Sequence, residues 1–251
     1  YDANGNVLTV SDGSGVITRA YDAINRVTSY TDTQGNTITY AYDEAGNLIT
    51  LTYPGGREVH YTYDPGSRLT GVTDWAGRTT TYQYDQNNRL TATPRPDGSL
   101  LTLTYDDARQ LLQQKDTASG GSVISQYDYT YDNTGNPLTE QATPSTQPFS
   151  LTDTVCTYTN DNRVATYNSQ TVTYDPDGNM TGGPLNGVMG TFTYDARNRL
   201  TEAGTTTYSY DAENNRTGIS DSVSQTDDSY AINPQADLSQ TLIKTDAQGN
   251  K

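Results

Sequence analysis

The sequence has 251 residues and carries 30 Asp plus Glu against 15 Lys plus Arg, a formal net charge of −15, which opposes binding to nucleic acid or to an anionic lipid surface. No apolar run approaches the roughly 20 residues of a membrane span, and a single cysteine, Cys156, leaves no disulfide to form within the chain. Aliphatic residues and Phe are so sparse at this charge that composition alone predicts an unfolded chain, but 21 Tyr stand against that, placed periodically and each offering a large apolar ring with a hydroxyl.

Read in chain order, the dipeptide Tyr-Asp recurs at Tyr1, Tyr21, Tyr42, Tyr63, Tyr84 and Tyr105, at steps of 20 and then 21 residues. Six residues after each Tyr stands an apolar residue (Val7, Val27, Leu48, Leu69, Leu90, Leu111), and fourteen after the first five stands a Gly (Gly15, Gly35, Gly56, Gly77, Gly98). A whole structural unit is therefore copied. In the unit from Tyr63, Asp64-Pro65-Gly66 and Asp74-Trp75-Ala76-Gly77 are turn signals, because Asp can bond its own downstream backbone and Gly accepts positive φ. The Thr-rich stretches between them suit strands. The spacing predicts one β-hairpin per repeat, stacked into an antiparallel ribbon. Pairs such as Tyr61 and Tyr63, or Tyr82 and Tyr84, fall two apart and so share one face, which predicts a tyrosine-lined face in place of an aliphatic core. Dense Thr, Gly and Asn and the lack of a 3.6-residue apolar stripe predict almost no helix.

Beyond Tyr105 the period loosens. Tyr131 comes 26 residues later, Thr139 to Ser150 reads as a loop insertion, and clear Tyr-Asp steps resume at Tyr174, Tyr194 and Tyr210. Tyr158 with Thr159 reads as a degenerate unit, and after Gly218 the pattern fades into polar sequence. The expected organisation is one array over 1–251, with regular repeats over 1–132, irregular repeats with insertions over 133–217 and a degenerate partial repeat over 218–251. Opening on Tyr1 within the pattern suggests a piece of something longer.

The segments Tyr42-Asp43-Glu44-Ala45-Gly46-Asn47-Leu48, Tyr174-Asp175-Pro176-Asp177-Gly178-Asn179-Met180-Thr181 and Tyr194-Asp195-Ala196-Arg197-Asn198-Arg199-Leu200-Thr201 resemble the tyrosine-aspartate (YD) repeats of the RHS family. That family includes bacterial polymorphic toxins, components of insecticidal toxin complexes and the teneurins. The resemblance covers essentially the whole chain. It implies an all-β fold in which repeated antiparallel hairpins form a continuous ribbon, part of a curved or spiralling hollow shell that encloses a toxin or effector in the bacterial members. It also implies a secreted or extracellular location, with flanking repeats of the same polypeptide and the enclosed domain as partners. Toxin-bearing members carry paired Asp-Pro-x-Gly segments before a self-cleavage point. Asp175-Pro176-Asp177-Gly178 matches one superficially, but Asn179 replaces the expected Leu and no second copy follows, so it reads as an ordinary turn.

Other candidate chemistry is weak. The turn Asp175 to Asn179 lacks calcium-loop spacing. His60, the only histidine, has no nucleophile and carboxylate that sequence could place beside it, and carboxylate pairs are inevitable in so acidic a chain. Trp75, at a turn, is expected to pack partly against a neighbouring hairpin. Cys156 reads as a strand hydrophobe. Asn179-Met180-Thr181 and Asn215-Arg216-Thr217 fit a glycosylation sequon. No catalytic, cofactor-binding or metal-ligating residue is assigned, no cofactor is expected, and the reading is non-enzymatic. The alternative is a carbohydrate-binding or adhesion repeat module, in which exposed rings would stack on sugars.

Overall fold

The computed structural model describes residues 1–143, 154–235, 240–246 and 248–249. Every element among them is a β-strand, and every pairing is antiparallel between strands adjacent in the chain. An eight-stranded sheet runs in chain order from Thr9–Asp12 to Thr79–Thr81, and a six-stranded one from Gln83–Tyr84 to Pro137–Thr143. A three-stranded sheet covers Cys156–Tyr158 to Gln170–Thr171, and a second eight-stranded sheet Thr173–Tyr174 to Gln240–Thr245. This is the all-β hairpin array that the repeats predict. Two of the sheet boundaries are single residues within one run of extended chain. At Tyr82 and Val172 the backbone still donates, to the carbonyls of Thr70 and Ala165 at 3.0 and 2.9 Å, as pairing passes from one hairpin to the next.

One turn design serves both ends of the hairpins from Asp22 to Ser122, whereas two-residue turns close others, as between Leu185 and Val188. In the unit from Tyr63, Asp64 N–H donates to the carbonyl of Arg68 and Ser67 N–H donates back to that of Asp64; ten residues on, Asp74 with Arg78 and Gly77 with Asp74 repeat both bonds. The residue third after the leading one takes positive φ: 59° at Ser67, 74° at Gly77. This is a type I turn closed by a left-handed residue. At the first turn the left-handed position is therefore Ser67 and not Gly66, and elsewhere Asn fills it, as at Asn25, Asn88 and Asn198. Asn is the residue other than Gly that best tolerates this conformation. Gly77→Val should cost about 1–3 kcal/mol. No atom lies within 4 Å of its hypothetical Cβ, so the loss is backbone strain, and an unchanged urea midpoint would contradict the turn.

From Tyr21 on, each Tyr-Asp hairpin also carries a β-bulge. Tyr63 pairs with Leu69 but Thr62 with Gly71, leaving Thr70 extra, and the same skip recurs at Tyr21/Val27, Tyr42/Leu48, Tyr105/Leu111 and Tyr194/Leu200. A bulge raises local twist. The long strands are also shared end to end: in Glu58–Tyr63 residues 58–60 pair with the preceding strand and 60–63 with the following one. Successive hairpins are thereby staggered along the strand direction.

Insertion after Tyr105 is absorbed by lengthening. Val123–Tyr131 and Pro137–Thr143 pair over long stretches, so Thr139 to Thr143, expected in a loop, belong to a strand; the rest of that stretch lies outside the described residues. Backbone pairing tolerates the polar side chains there, because the ladder uses main-chain groups. The polar stretch after Gly218 behaves likewise, as Arg216–Asp221 pairs with Thr226–Asn233.

The chain divides into two compact units, residues 1–38 with 151–251, and residues 39–150. Within the first, the inward face of Gly15–Tyr21 carries Ile17, fully buried, while Val16 beside it is 51% exposed. Tyr30, Ile38 and Asp211 are also below 2% exposed, and Asp228, Ala231, Ile232 and Asn233 are buried. In the second unit Leu51 and Val59 pair directly across two strands and are both buried.

Candidate interaction surface

The side chains that distinguish the repeat are spent on holding one unit to the next. In the unit from Tyr63, Asp64 Oδ1 accepts the N–H groups of Gly66 and Arg68 at 2.9 and 3.0 Å, and Arg68 Nε donates to Oδ2 at 2.6 Å. Asp85 with Arg89 and Asp195 with Arg199 repeat this, and Asn takes the role of Arg beside Asp2, Asp43, Asp132, Asp175 and Asp211. The fourth residue after the Asp thus has to be an N–H donor, a regularity present in the sequence as Asn6, Arg26, Asn47, Arg68 and Arg89 but hidden by the alternation of two residue types. The same guanidinium then lies over the tyrosine ring of the next unit. Arg68 is 5.0 Å from the Tyr84 ring centre, Arg89 4.7 Å from Tyr105 and Arg199 4.9 Å from Tyr210. Cation–π contacts of this kind contribute about 0.5–2 kcal/mol.

The ring reaches back. Tyr63 Oη donates to the carbonyl of Leu48, Tyr84 to Leu69 and Tyr105 to Leu90, all at 2.9 Å, and Tyr131, Tyr174 and Tyr210 follow suit. The acceptor is the apolar residue at the preceding bulge, so Tyr, Asp, Arg or Asn, and Leu form one linked set per repeat. All tyrosines except Tyr1 and Tyr158 are buried or half-buried. The rings supplement an aliphatic interior and do not replace it: among the described residues only Tyr30 and Tyr40 join the buried set with Ile17, Ile38, Leu51 and Val59, and most other rings are half-buried, with guanidinium groups and backbone among their coverings. Burial, followed by the fields of neighbouring tyrosines, pushes the Tyr61 phenol up to about 12.

These turns make stability pH-dependent. The Asp64 carboxyl is held below its ordinary 3.8 first by the Arg68 backbone N–H, against desolvation, and then by the Arg68 side chain; Asp175 is held down first by the side chain of Asn179. A carboxyl whose folded pKa is lowered stabilises the fold above its unfolded value and loses that contribution as pH falls through the folded one. Stability should therefore be level near neutrality and fall once pH drops below 3.8, read as a declining urea midpoint. A flat profile down to pH 2 or so would contradict the carboxylate clamps.

Within the first unit, hairpins distant in sequence meet. Arg19 forms an ion pair with Glu213 and lies 5.1 Å from the Tyr30 ring centre. Ser14 Oγ donates to the Tyr210 carbonyl at 3.1 Å, and Gln34 Nε2 to that of Thr217 at 3.2 Å. Burial, then the carboxylates of Asp211 and Glu213, pushes the Tyr30 phenol well above its ordinary value, and its hydroxyl has no hydrogen-bond partner among the described residues. Sequence periodicity carries no signal for this contact.

The residues singled out for chemistry stand apart. His60 is 52% exposed in its side chain, with Nδ1 3.3 Å from Thr50 Oγ1 and Nε2 3.4 Å from Glu58. Trp75 is 47% exposed and meets the Tyr53 ring of the preceding hairpin edge-on at 5.4 Å, the partial packing expected of it. Cys156 is half-buried in its strand. Asp175 to Asn179 is an ordinary clamped turn with Gly178 at φ 91°. At Tyr158, Thr159 Oγ1 accepts the Arg163 N–H at 3.1 Å, a hydroxyl standing in for the Asp carboxylate. The Asn179 and Asn215 amides of both sequons are engaged by Asp175 and Asp211. Among the described residues no group of three His, Cys, Asp or Glu could hold a metal ion, and no helix is long and apolar enough to cross a membrane.

The family model described as RHS Repeat matches residues 1–37, 21–58 and 42–79. Residues 1–79 carry RHS repeats. Beyond the matched residues the same local geometry continues, since the bulge, clamp and tyrosine bond recur as far as Tyr210. No curated protein matches the sequence. Solved structures similar to it include the Photorhabdus luminescens Tc holotoxin pore, at 16% identity and TM-score 0.47 over 94% of this chain. The TcdB2-TccC3 crystal structure matches at 19% identity and TM-score 0.49 over 92%. The chain spans about 15% of the length of either of those chains. At such scores the backbones are only loosely superimposable.

Proposed function

We propose that this chain is a non-catalytic structural segment of an RHS shell, a wall that encloses a toxin or effector cargo in a secreted protein. The observation that supports it most is the fate of the repeat's side chains: Tyr84, Arg68 and the Leu69 carbonyl are consumed in joining neighbouring hairpins, while Asp64 clamps its own turn and holds Arg68 in place. A paired sheet hides its backbone polar groups, and acidic excess keeps its outer surface soluble. Enclosure requires nothing more of a wall. Because the rings are engaged rather than presented, carbohydrate stacking gains no support from them.

Limited proteolysis of the complete polypeptide that contains these repeats tests the proposal. A cargo domain inside the wall should resist a protease that digests the same domain expressed alone. Equal digestion rates would overturn the enclosure reading, as would electron microscopy showing an open ribbon with no enclosed density.

A further inference from the structure

The residue six after each repeat tyrosine is apolar from Val7 through Leu200, but after Tyr210 it is Arg216. Its guanidinium lies 5.9 Å from the Tyr208 ring centre and 5.8 Å from that of Tyr230. It opens into a pocket of about 350 Å³ whose other walls include Asn214, Asn215, Ile232 and Thr241. Among the described residues Arg216 has no carboxylate partner, unlike the clamp arginines Arg68, Arg89 and Arg199. The buried carboxylates of the same hairpins are already used: Asp211 by Asn215 and the Glu213 N–H, Asp228 by Lys244 at 2.8 Å.

We propose that the Arg216 pocket is a binding site for a carboxylate group. A guanidinium flanked by two rings is held in place while its N–H edge remains available, and a planar fork of donors matches a carboxylate. The Thr241 hydroxyl and the Asn214 amide border the same space and can add neutral hydrogen bonds. Apolar residues at this repeat position build hairpins elsewhere, so the arginine is not needed to form the fold.

The test titrates the whole chain, labelled for NMR, with acetate and separately with a short glutamate-containing peptide. Saturable shifts are expected at the Arg216 Nε–H and at the amides of Asn214 and Thr241. Arg216→Leu, which installs the residue type of the other units, and Arg216→Gln, which keeps length without charge, should each weaken the amide response at least about tenfold, the scale of one lost charged hydrogen bond. A peptide bound at least tenfold more tightly than acetate assigns the site to an acidic polypeptide segment; equal affinity per carboxylate assigns it to a small carboxylate. No saturable shift with either probe, or undiminished amide shifts in both variants, would overturn the proposal.

Discussion

Ile17→Ala is expected to destabilise the unit formed by residues 1–38 and 151–251 by about 3 kcal/mol, within the range of about 2–5 for emptying a buried aliphatic site. The side chain is 0% exposed. It lies on the inward face of Gly15–Tyr21, the face from which Arg19 reaches Glu213. Val16→Ala is the control, since Val16 points outward and is 51% exposed, and the expected loss there is within about 0.5 kcal/mol. Urea unfolding of the two variants measures the difference. Similar losses at both positions would mean that the strand does not bury one face against the distant hairpins.

Asp211→Ala should cost about 3 kcal/mol by a different route. Asp211 is 1% exposed and accepts the N–H groups of Glu213 and Asn215 and the Asn215 side-chain amide, at 2.9, 2.9 and 3.0 Å. Removing the carboxylate strands several donors away from water, each at a penalty of about 1–3 kcal/mol before relaxation. The same turn presents Glu213 to Arg19, so the variant should also loosen that contact. Hydrogen exchange at the backbone amides around Gln34 and Thr217, which are bonded to one another through the Gln34 side chain, should quicken. Asp211→Asn keeps one acceptor and should fall between the two. A midpoint unchanged from wild type would show that the buried turn carries no such load.

Much of the array is legible in the sequence because it is local. A turn needs a capping Asp and a left-handed Gly or Asn within five residues, and a hairpin needs two alternating runs beside it. Tyr63 to Tyr84 displays both. The linkage between units is half legible: the tyrosine period announces a unit, but the bond from Tyr84 to the Leu69 carbonyl involves backbone, which sequence does not mark. Burial of Asp32, Asp211, Asp228 and Asn233 is least legible. Polar residues read as surface, and only the contact between hairpins nearly two hundred positions apart in sequence, as for Arg19 and Glu213, puts some of them inside. The polar run after Gly218 misleads because its strands pair through main-chain groups, which polar side chains do not prevent.

The account rests on the tyrosine hydroxyl as the fastener between repeats, and replacing single tyrosines by phenylalanine tests it most directly. Tyr63→Phe, Tyr84→Phe and Tyr105→Phe each remove a 2.9 Å bond to a carbonyl of the preceding unit and should each cost about 1 kcal/mol in urea unfolding. Tyr30→Phe removes a buried hydroxyl that has no partner among the described residues and should be neutral or stabilising. Four variants of equal stability, or a loss at Tyr30 matching the other three, would contradict the account.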